Sequence, residues 1–507
     1  MSGENGQPPS ATPELREQAA AFLAEPHLHC IDGRWSPGAA SATLPVENPA
    51  SEAVISEVVL GTRADIDAAV AAARKALSGP WGRLKAFERA RLLLAFAEQV
   101  ERNAALLACV ETLENGTPFA LSMGSTCGLM PELLRYYAGW TTKLAGETLP
   151  AAPAGREALD WLVYTEREPV GVVGAITPWN APLNIILLKL APALAAGCTV
   201  VLKPAELTPL TGELLVRLAQ EAGLPEGVLN LVQGRGEEVG AALAEHPGVD
   251  KISFTGSTEV GRSIVRAAAG NLKKVTLELG GKSPMVVFPD ADLAEAIPTA
   301  AMACFFLSGQ NCMAGTRLFV HESIHDQFVA GLSGMAQALK VGDGLEPDTV
   351  LGPLISAAQR QRVLDYIALG EAEGARRMTP ERHFEGPGHY VAPVVFADCR
   401  ADMRIVREEI FGPVLTVQRF GSEDLDALAA RVNDTIYGLS GSVWSRDVST
   451  ALGFARRIDS GQVAVNAHAA VSPETPFGGN RQSGWGREMG RESLDAYLKT
   501  KAVSVRL

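Results

Sequence analysis

Clustered positive charge is missing from this 507-residue chain: 45 Lys and Arg stand against 58 Asp and Glu, a net charge of −13. Nucleic acids and anionic membrane surfaces are held mainly by such clusters, so neither is an expected partner. Long apolar runs are missing too. One of the longest, Ile185 to Leu188, stops at Lys189, far short of a bilayer span. The cysteines (Cys30, Cys109, Cys127, Cys198, Cys304, Cys312 and Cys399) form no CxxC pair and no Cys/His metal spacing, and their number is odd. This excludes a disulfide framework and a zinc site, and predicts reduced thiols in a cytoplasmic protein. The segment from Met1 to about Glu14 lacks the basic start and apolar stretch of a secretory signal and predicts a frayed tail, taken to extend over 1–18. Internal repeats and low-complexity tracts are absent. What remains is an ordinary globular composition, 47% hydrophobic and 20% charged. It is long enough for about two to four domains at roughly 150 residues each, with a small molecule as the expected partner.

Apolar residues recur at helical spacing from Ile66 to Ala76 and from Phe87 to Ala108, predicting a helical early chain. From Val170 the rhythm changes to short apolar strands, Val170 to Ile176, Thr199 to Leu202, Val228 to Val232 and Lys251 to Phe254, each followed by a helical stretch. That alternation predicts an α/β fold with a parallel sheet whose ligands gather at the carboxyl ends of the strands. A second alternating block, from about Met285 to Phe477, carries its own strand candidates at Leu318 to Val320 and Val414 to Val417. Between Glu147 and Glu166 the pattern is that of an extended hairpin with an exposed edge, to which Ala502 to Leu507 could add a strand; together they read as an oligomerisation element.

Three positions invite chemistry, and each has a plainer reading. Cys312 lies among small and polar residues in FFLSGQNCMAGTR, where an exposed sulfur is plausible, although an unplaced cysteine is more often structural. Glu278 ends an apolar strand in VTLELGGKSP. It is either a carboxylate with perturbed protonation or the partner of Lys273, Lys274 or Lys282. Asn180, in TPWNAPLN, could donate its amide to a developing oxyanion or simply form a turn between Pro178 and Pro182.

Taken in order, the motifs decide more than any one of them. PWN at Pro178 to Asn180, KPAE at Lys203 to Glu206, FTGSTEVG at Phe254 to Gly261, LELGGKSP at Leu277 to Pro284, GQNC at Gly309 to Cys312, EEIFGPV at Glu408 to Val414 and PFGG at Pro476 to Gly479 follow one another along the chain. From about Ala20 onward the chain resembles the NAD(P)-dependent aldehyde dehydrogenase superfamily. The resemblance implies a Rossmann-type parallel-sheet cofactor domain (19–146 and 167–280), a second α/β catalytic domain (281–479), and a β oligomerisation hairpin (147–166 with 488–507) that builds a homodimer or homotetramer. It implies that Cys312 is the nucleophile, Glu278 the general base, and Asn180 with the Cys312 backbone N–H the oxyanion hole. The chemistry agrees. Thiolate addition makes the planar aldehyde carbon tetrahedral, oxidation leaves a thioester, and a carboxylate then activates the water that releases the acid.

For the cofactor, the resemblance places Lys203 and Glu206 at the adenine ribose. A carboxylate there accepts hydrogen bonds from the 2′ and 3′ hydroxyls and repels the 2′-phosphate of NADP, which favours NAD, while the charge of Lys203 leaves NADP possible. The glycines Gly234, Gly236 and Gly240 have one residue too many for a dinucleotide fingerprint. Gly256 and Ser257, between a strand and a helix, are the better phosphate cradle, and Ser257 also reads as an ordinary helix cap. By resemblance, Trp179 and Ser257 hold the cofactor, and Glu409 and Phe411 position its nicotinamide end. The substrate tunnel falls at Ala181, Asn311, Met313, Val471 and Phe477, several of them small, so a bulky or long apolar aldehyde is expected. The competing readings are a CoA-acylating semialdehyde dehydrogenase, against which Glu278 argues, and a noncatalytic scaffold, which has no need of Cys312, Glu278 and Asn180 together.

Overall fold

The computed structural model describes residues 9–40, 42–157 and 159–507, without the side chains of 125–127. Residues 1–8 of the expected tail, and the Cys127 thiol, therefore lie outside the described residues. The rest of that expectation needs correction: Pro13–Leu23 is a helix. Thr12 caps it by accepting the Leu15 N–H, Pro13 occupies the first position where its missing N–H costs nothing, and Ala19 and Phe22 are buried. The early chain is also less uniformly helical than its periodicity suggests. Helices span Arg63–Ser78, Ala86–Arg102 and Ala104–Asn115, but short strands precede them at His29–Ile31, Arg34–Ser36, Thr43–Asn48 and Ala53–Val59.

Two α/β sheets organise the molecule. In the eight-stranded sheet, Lys274–Glu278, Lys251–Thr255, Val172–Ile176, Thr199–Lys203 and Leu229–Leu231 lie side by side and parallel. Antiparallel strands finish both edges: Gly484–Trp485 at one, His29–Ile31 and then Arg34–Ser36 at the other. The chain starts in the middle at Val172–Ile176, steps outward through Thr199–Lys203 and Leu229–Leu231, then returns to the opposite side at Lys251–Thr255. The reversal lies between Val172–Ile176 and Lys251–Thr255, and their carboxyl ends open the crevice where such sheets bind ligands. The helix Pro182–Ala196 is buried nearly throughout, as its apolar sequence on all sides requires.

The seven-stranded sheet contains Val394–Ala397, Val414–Phe420, Arg317–His321, Pro284–Val287, Ser442–Trp444 and Ala464–Val465 in parallel, with Arg376–Arg377 antiparallel at one edge. Its strands begin where those of the first sheet end. Leu279–Ser283 joins the end of Lys274–Glu278 to the start of Pro284–Val287, Cys312 precedes Arg317–His321, and Glu409 and Phe411 precede Val414–Phe420. The motifs thus converge between the two sheets. In a third sheet, Trp161–Pro169 pairs with Thr148–Leu149 on one side and along its whole length with the chain's own Leu498–Arg506 on the other. No helix among the described residues is long and apolar enough to cross a membrane.

Candidate active site

Cys312 sits in the loop between the tight turn Phe306–Gly309 and the strand Arg317–His321. Leu307, Ser308 and Gly309 all take positive φ (53°, 56° and 74°), and a Cβ on Gly309 would stand 2.1 Å from the Gly412 carbonyl oxygen. This is why a glycine opens GQNC: no side chain fits there. Asn180 Nδ2 donates to the Gln310 carbonyl at 2.9 Å, while the Gln310 side-chain oxygen accepts the Ile355 N–H at 3.0 Å. Asn180 thus lies in a bend, as the plainer reading has it, and its buried amide is aimed at the loop that carries Cys312. Behind it, Asn115 Nδ2 donates to the Trp179 carbonyl at 2.6 Å.

Glu278 ends its strand, buried, and neither carboxylate oxygen has a hydrogen-bond partner among the described residues. The ion-pair alternative is not formed. Lys273 donates to the carbonyls of Ala244 and His246, Lys274 to that of Leu498, and the buried ammonium of Lys282 has no partner among the described residues. Burial raises the Glu278 carboxyl well above the usual carboxylate range; the charge of Glu488 adds to this, and Lys189 and Arg487 oppose it. Gly478 leaves the carboxyl room, since a Cβ there would come within 2.6 Å of its Oε1.

A cavity of about 570 Å³ opens beside the thiol, walled by Trp179, Asn180, Gly280, Cys312, Glu409 and Phe411. Gly256 and Ser257 line its far side. Ser257 caps the helix Thr258–Ala268 by accepting the Val260 N–H at 3.2 Å, as the plainer reading expects. Glu409 accepts the Gly281 N–H at 2.8 Å, and burial pushes its carboxyl up to about 7. The rings of Trp179 and Phe411 meet edge to face at 5.3 Å. Lys203, Glu206 and Gly236 lie together outside this cavity. Lys203 pairs with Glu206 at 2.8 Å, and a Cβ on Gly236 would meet that pair at 3.9–4.0 Å, in ordinary contact with it. Burial pushes the Glu206 carboxyl up, but Lys203 and nearby backbone N–H groups hold it below the usual range, so it is an ionised acceptor.

The expected tunnel residues are on the thiol's other side. Met313, Val471 and Cys312 pack against one apolar cluster that includes Phe477, and none of the tunnel positions walls the 570 Å³ cavity. Ala181 is the residue before the helix Pro182–Ala196, and Asn311 accepts the Met313 N–H at 3.1 Å through its side chain. Cys312 thus borders both this cavity and an apolar cluster.

With this geometry in place, likeness to known proteins is informative. The chain matches the aldehyde dehydrogenase family over residues 35–503. An aldehyde dehydrogenase of Enchytraeus buchholzi is 43% identical over 499 residues, covering 98% of this chain and 99% of the relative. The chain belongs to the aldehyde dehydrogenase family. The NAD+ complex of an aldehyde dehydrogenase from Bacillus cereus superposes with a TM-score of 0.93 at 44% identity, over 98% of this chain and 99% of that one. The betaine aldehyde dehydrogenase of Staphylococcus aureus, in complex with NAD+, gives a TM-score of 0.93 at 38% identity, over 97% of each chain. This aldehyde dehydrogenase is accordingly an enzyme of aldehyde oxidation with the family's α/β fold.

Electrostatics in this aldehyde dehydrogenase keep the Cys312 thiol neutral at rest. Burial, reinforced by Glu278, Glu409 and Glu488, pushes the Cys312 thiol up to about 12. Cys304 is fully buried and also pushed up, as fits a structural thiol. Several neighbours carried no readable motif. Gln359 and Arg362, on the helix Ala357–Ala372, brace the backbone carbonyls of Phe411 and Glu409, each at 2.7 Å. Lys189, in the otherwise apolar helix, pairs with Glu488 and donates to Thr255 at 2.7 Å behind Glu278. The only sequence signal for that pair was a lone lysine in an apolar helix, which demands a buried partner without saying where it lies.

Proposed function

We propose that this enzyme oxidises aldehydes to carboxylic acids with NAD, through a thioester on Cys312 that water hydrolyses with Glu278 as general base. The observation that carries the reading is the convergence at one loop. Asn180 grips the carbonyl two residues before Cys312, the cavity opens beside the thiol, and Glu278 waits nearby with both oxygens unclaimed. The residues fit a dinucleotide. Glu206, with Lys203 and the neighbouring Gly236, would receive the adenine ribose; Trp179, Gly256 and Ser257 the diphosphate; Glu409 and Phe411 the nicotinamide end. NAD in place supplies the hydride acceptor. The NAD+ complexes of the Bacillus cereus and Staphylococcus aureus enzymes support this choice, and the ionised Glu206 favours NAD over NADP.

Each protein group then has a defined task. The thiol passes its proton to water in the adjoining cavity as its sulfur joins the carbonyl carbon, because a free thiolate is disfavoured among three carboxyl groups. One amide hydrogen of Asn180 is spent on Gln310, and the other, with the Cys312 N–H, can hold the new oxyanion. After oxidation, Glu278 in its ionised form takes a proton from the water that attacks the thioester, and its raised carboxyl makes it a stronger base than an ordinary carboxylate. Small Ala181 and Val471, with Met313 and Phe477, suit a bulky or long apolar aldehyde. A homodimer or homotetramer would form along the outer edge of Leu498–Arg506, where Val505 and Leu507 are exposed and Leu162 stands exposed on the neighbouring strand. The described cysteines are all free, in keeping with the proposed cytoplasmic setting.

NADH formation on a panel of short, long-chain and aromatic aldehydes, with NAD or NADP and with or without CoA, tests this reading. Turnover with NAD independent of CoA, and higher kcat/KM for the larger apolar aldehydes, is expected. A requirement for CoA would replace the hydrolytic assignment, and preference for acetaldehyde would overturn the substrate class.

A further inference from the structure

The loop carrying the nucleophile is gripped at both ends. Asn180 holds the carbonyl of Gln310 on one side of Cys312. On the other side, the carbonyl of Met313, the residue after the nucleophile, lies 2.9 Å from Nε2 of His468. The opposite ring nitrogen, Nδ1, is 3.0 Å from Ser442 Oγ. A carbonyl oxygen can only accept, so Nε2 carries the proton, and in the neutral ring Nδ1 accepts from the Ser442 hydroxyl. Burial lowers the imidazole pKa, which keeps the ring in this neutral form. Ser442 begins a strand of the seven-stranded sheet that is paired on both sides, with Pro284–Val287 and Ala464–Val465, so the ring is anchored on a rigid support.

The segment bearing His468 is itself constrained. It leaves the strand Ala464–Val465 with left-handed backbone at Asn466 and Ala469, both at φ 51°. Such a conformation in residues other than glycine persists where surrounding contacts over-determine it. Here the Asn466 side chain accepts the Ser445 N–H and donates to the Ser445 carbonyl, each at 3.0 Å. The same segment continues to Val471, one of the proposed tunnel positions. Met313 is fixed at its other end by its N–H bond to Asn311.

We propose that His468 is a positioning residue for the nucleophile, its Nε2–H on the Met313 carbonyl fixing the Met313–Ala314 peptide, one residue past Cys312, and tying the loop to the segment carrying Val471. The proposal rests on the reading of Cys312 as nucleophile. Freed from the ring, the Met313–Ala314 peptide can rotate and let the backbone at Cys312 shift, which misdirects the sulfur without removing any group that touches substrate or cofactor.

The test compares His468→Phe, which fills the ring's space without a donor, with His468→Gln, whose amide keeps a donor toward Met313. Turnover and the rate of Cys312 alkylation by iodoacetamide, mapped to its peptide by mass, are both measured. A misplacement of this kind lowers kcat by about tenfold to a hundredfold. The Phe variant should show that loss with KM for NAD unchanged and an altered Cys312 alkylation rate, and the Gln variant should recover most of it. A folded, NAD-binding Phe variant with parent kcat and alkylation rate overturns the proposal; so does a Gln variant as impaired as the Phe variant. Should the Phe variant fail to fold, Ser442→Ala serves, since it removes the hydroxyl that orients Nδ1. A smaller but measurable kcat loss is expected there, and none would overturn the proposal. Turnover surviving in Cys312→Ala is a separate outcome, which defeats the nucleophile reading instead.

Discussion

Replacing Asn180 by alanine separates the two tasks assigned to its amide. One N–H is committed to the Gln310 carbonyl at 2.9 Å, leaving a single N–H for the oxyanion. Loss of one oxyanion donor costs about 10²–10³ in kcat, or ~2.7–4 kcal/mol of transition-state stabilisation. The site is buried, so the abandoned Gln310 carbonyl also costs about 1–3 kcal/mol of stability. Asn180→Asp should be worse in turnover than alanine, because it sets a negative charge against the forming oxyanion and an acceptor against the Gln310 carbonyl. The assay is kcat for NADH formation at saturating aldehyde and NAD, beside Tm and the Kd for NAD. A large fall in kcat, a modest fall in Tm and an unchanged NAD Kd are expected. If the alanine variant loses Tm but keeps kcat within about threefold, far inside the expected loss, Asn180 is only a brace for the loop and the oxyanion assignment is wrong.

Glu278→Gln should give one round of NADH release and then stall with the acyl group on the enzyme; unchanged steady-state turnover would remove Glu278 from the mechanism. Because burial raises this carboxyl, it is protonated, and useless as a base, already at pH values where an ordinary carboxylate is ionised. The deacylation rate should therefore fall as pH is lowered through that raised value, and single-turnover measurements in the Gln variant should lack the inflection. Glu206→Ala removes the carboxylate that repels a 2′-phosphate and leaves Lys203, so the kcat/KM ratio of NADP to NAD should rise at least about tenfold, ~1.4 kcal/mol. No rise would place the ribose elsewhere. Glu114 accepts the N–H groups of Leu210 and Thr211 at the start of the helix Leu210–Glu221 from a fully buried position. Glu114→Ala should lower unfolding stability by about 1–3 kcal/mol per stranded donor, read in urea titrations, while the Kd for NAD stays unchanged.

What could be read from the sequence follows from how local each feature is. PWN, LELGGKSP and GQNC are contiguous, and each sits at a strand end or in a tight turn whose backbone demands its glycines, so the order of the motifs announced the site. The buried parallel strands were legible because each is a continuous apolar run. The three-residue strands His29–Ile31 and Arg34–Ser36 were not, since they are too short for any period and owe their form to pairing with each other and with Leu229–Leu231. The helix Pro13–Leu23 carried a cap and a Pro start, but the polar, Pro-rich approach to it masked the signal. Long-range partners were the least legible. Nothing in the spacing of Lys189 and Glu488 joins them, nor in that of His468 and Met313, which lie 155 residues apart. Glu278 is instructive in the other direction: three lysines nearby in sequence suggested an ion pair, yet Lys273 is taken up by the carbonyls of Ala244 and His246 and Lys274 by that of Leu498, while Lys282 lies beyond the strand's end.

The central claim is that the acyl group passes through Cys312. Mixing the enzyme with NAD and an apolar aromatic aldehyde, quenching in acid within the first turnover, and weighing the peptide that contains Cys312 measures this directly. The account predicts an added acyl mass on that peptide, appearing with the first NADH and accumulating in Glu278→Gln. Stoichiometric NADH with the peptide unmodified, or with the acyl group on Cys304 or any other cysteine, would contradict it.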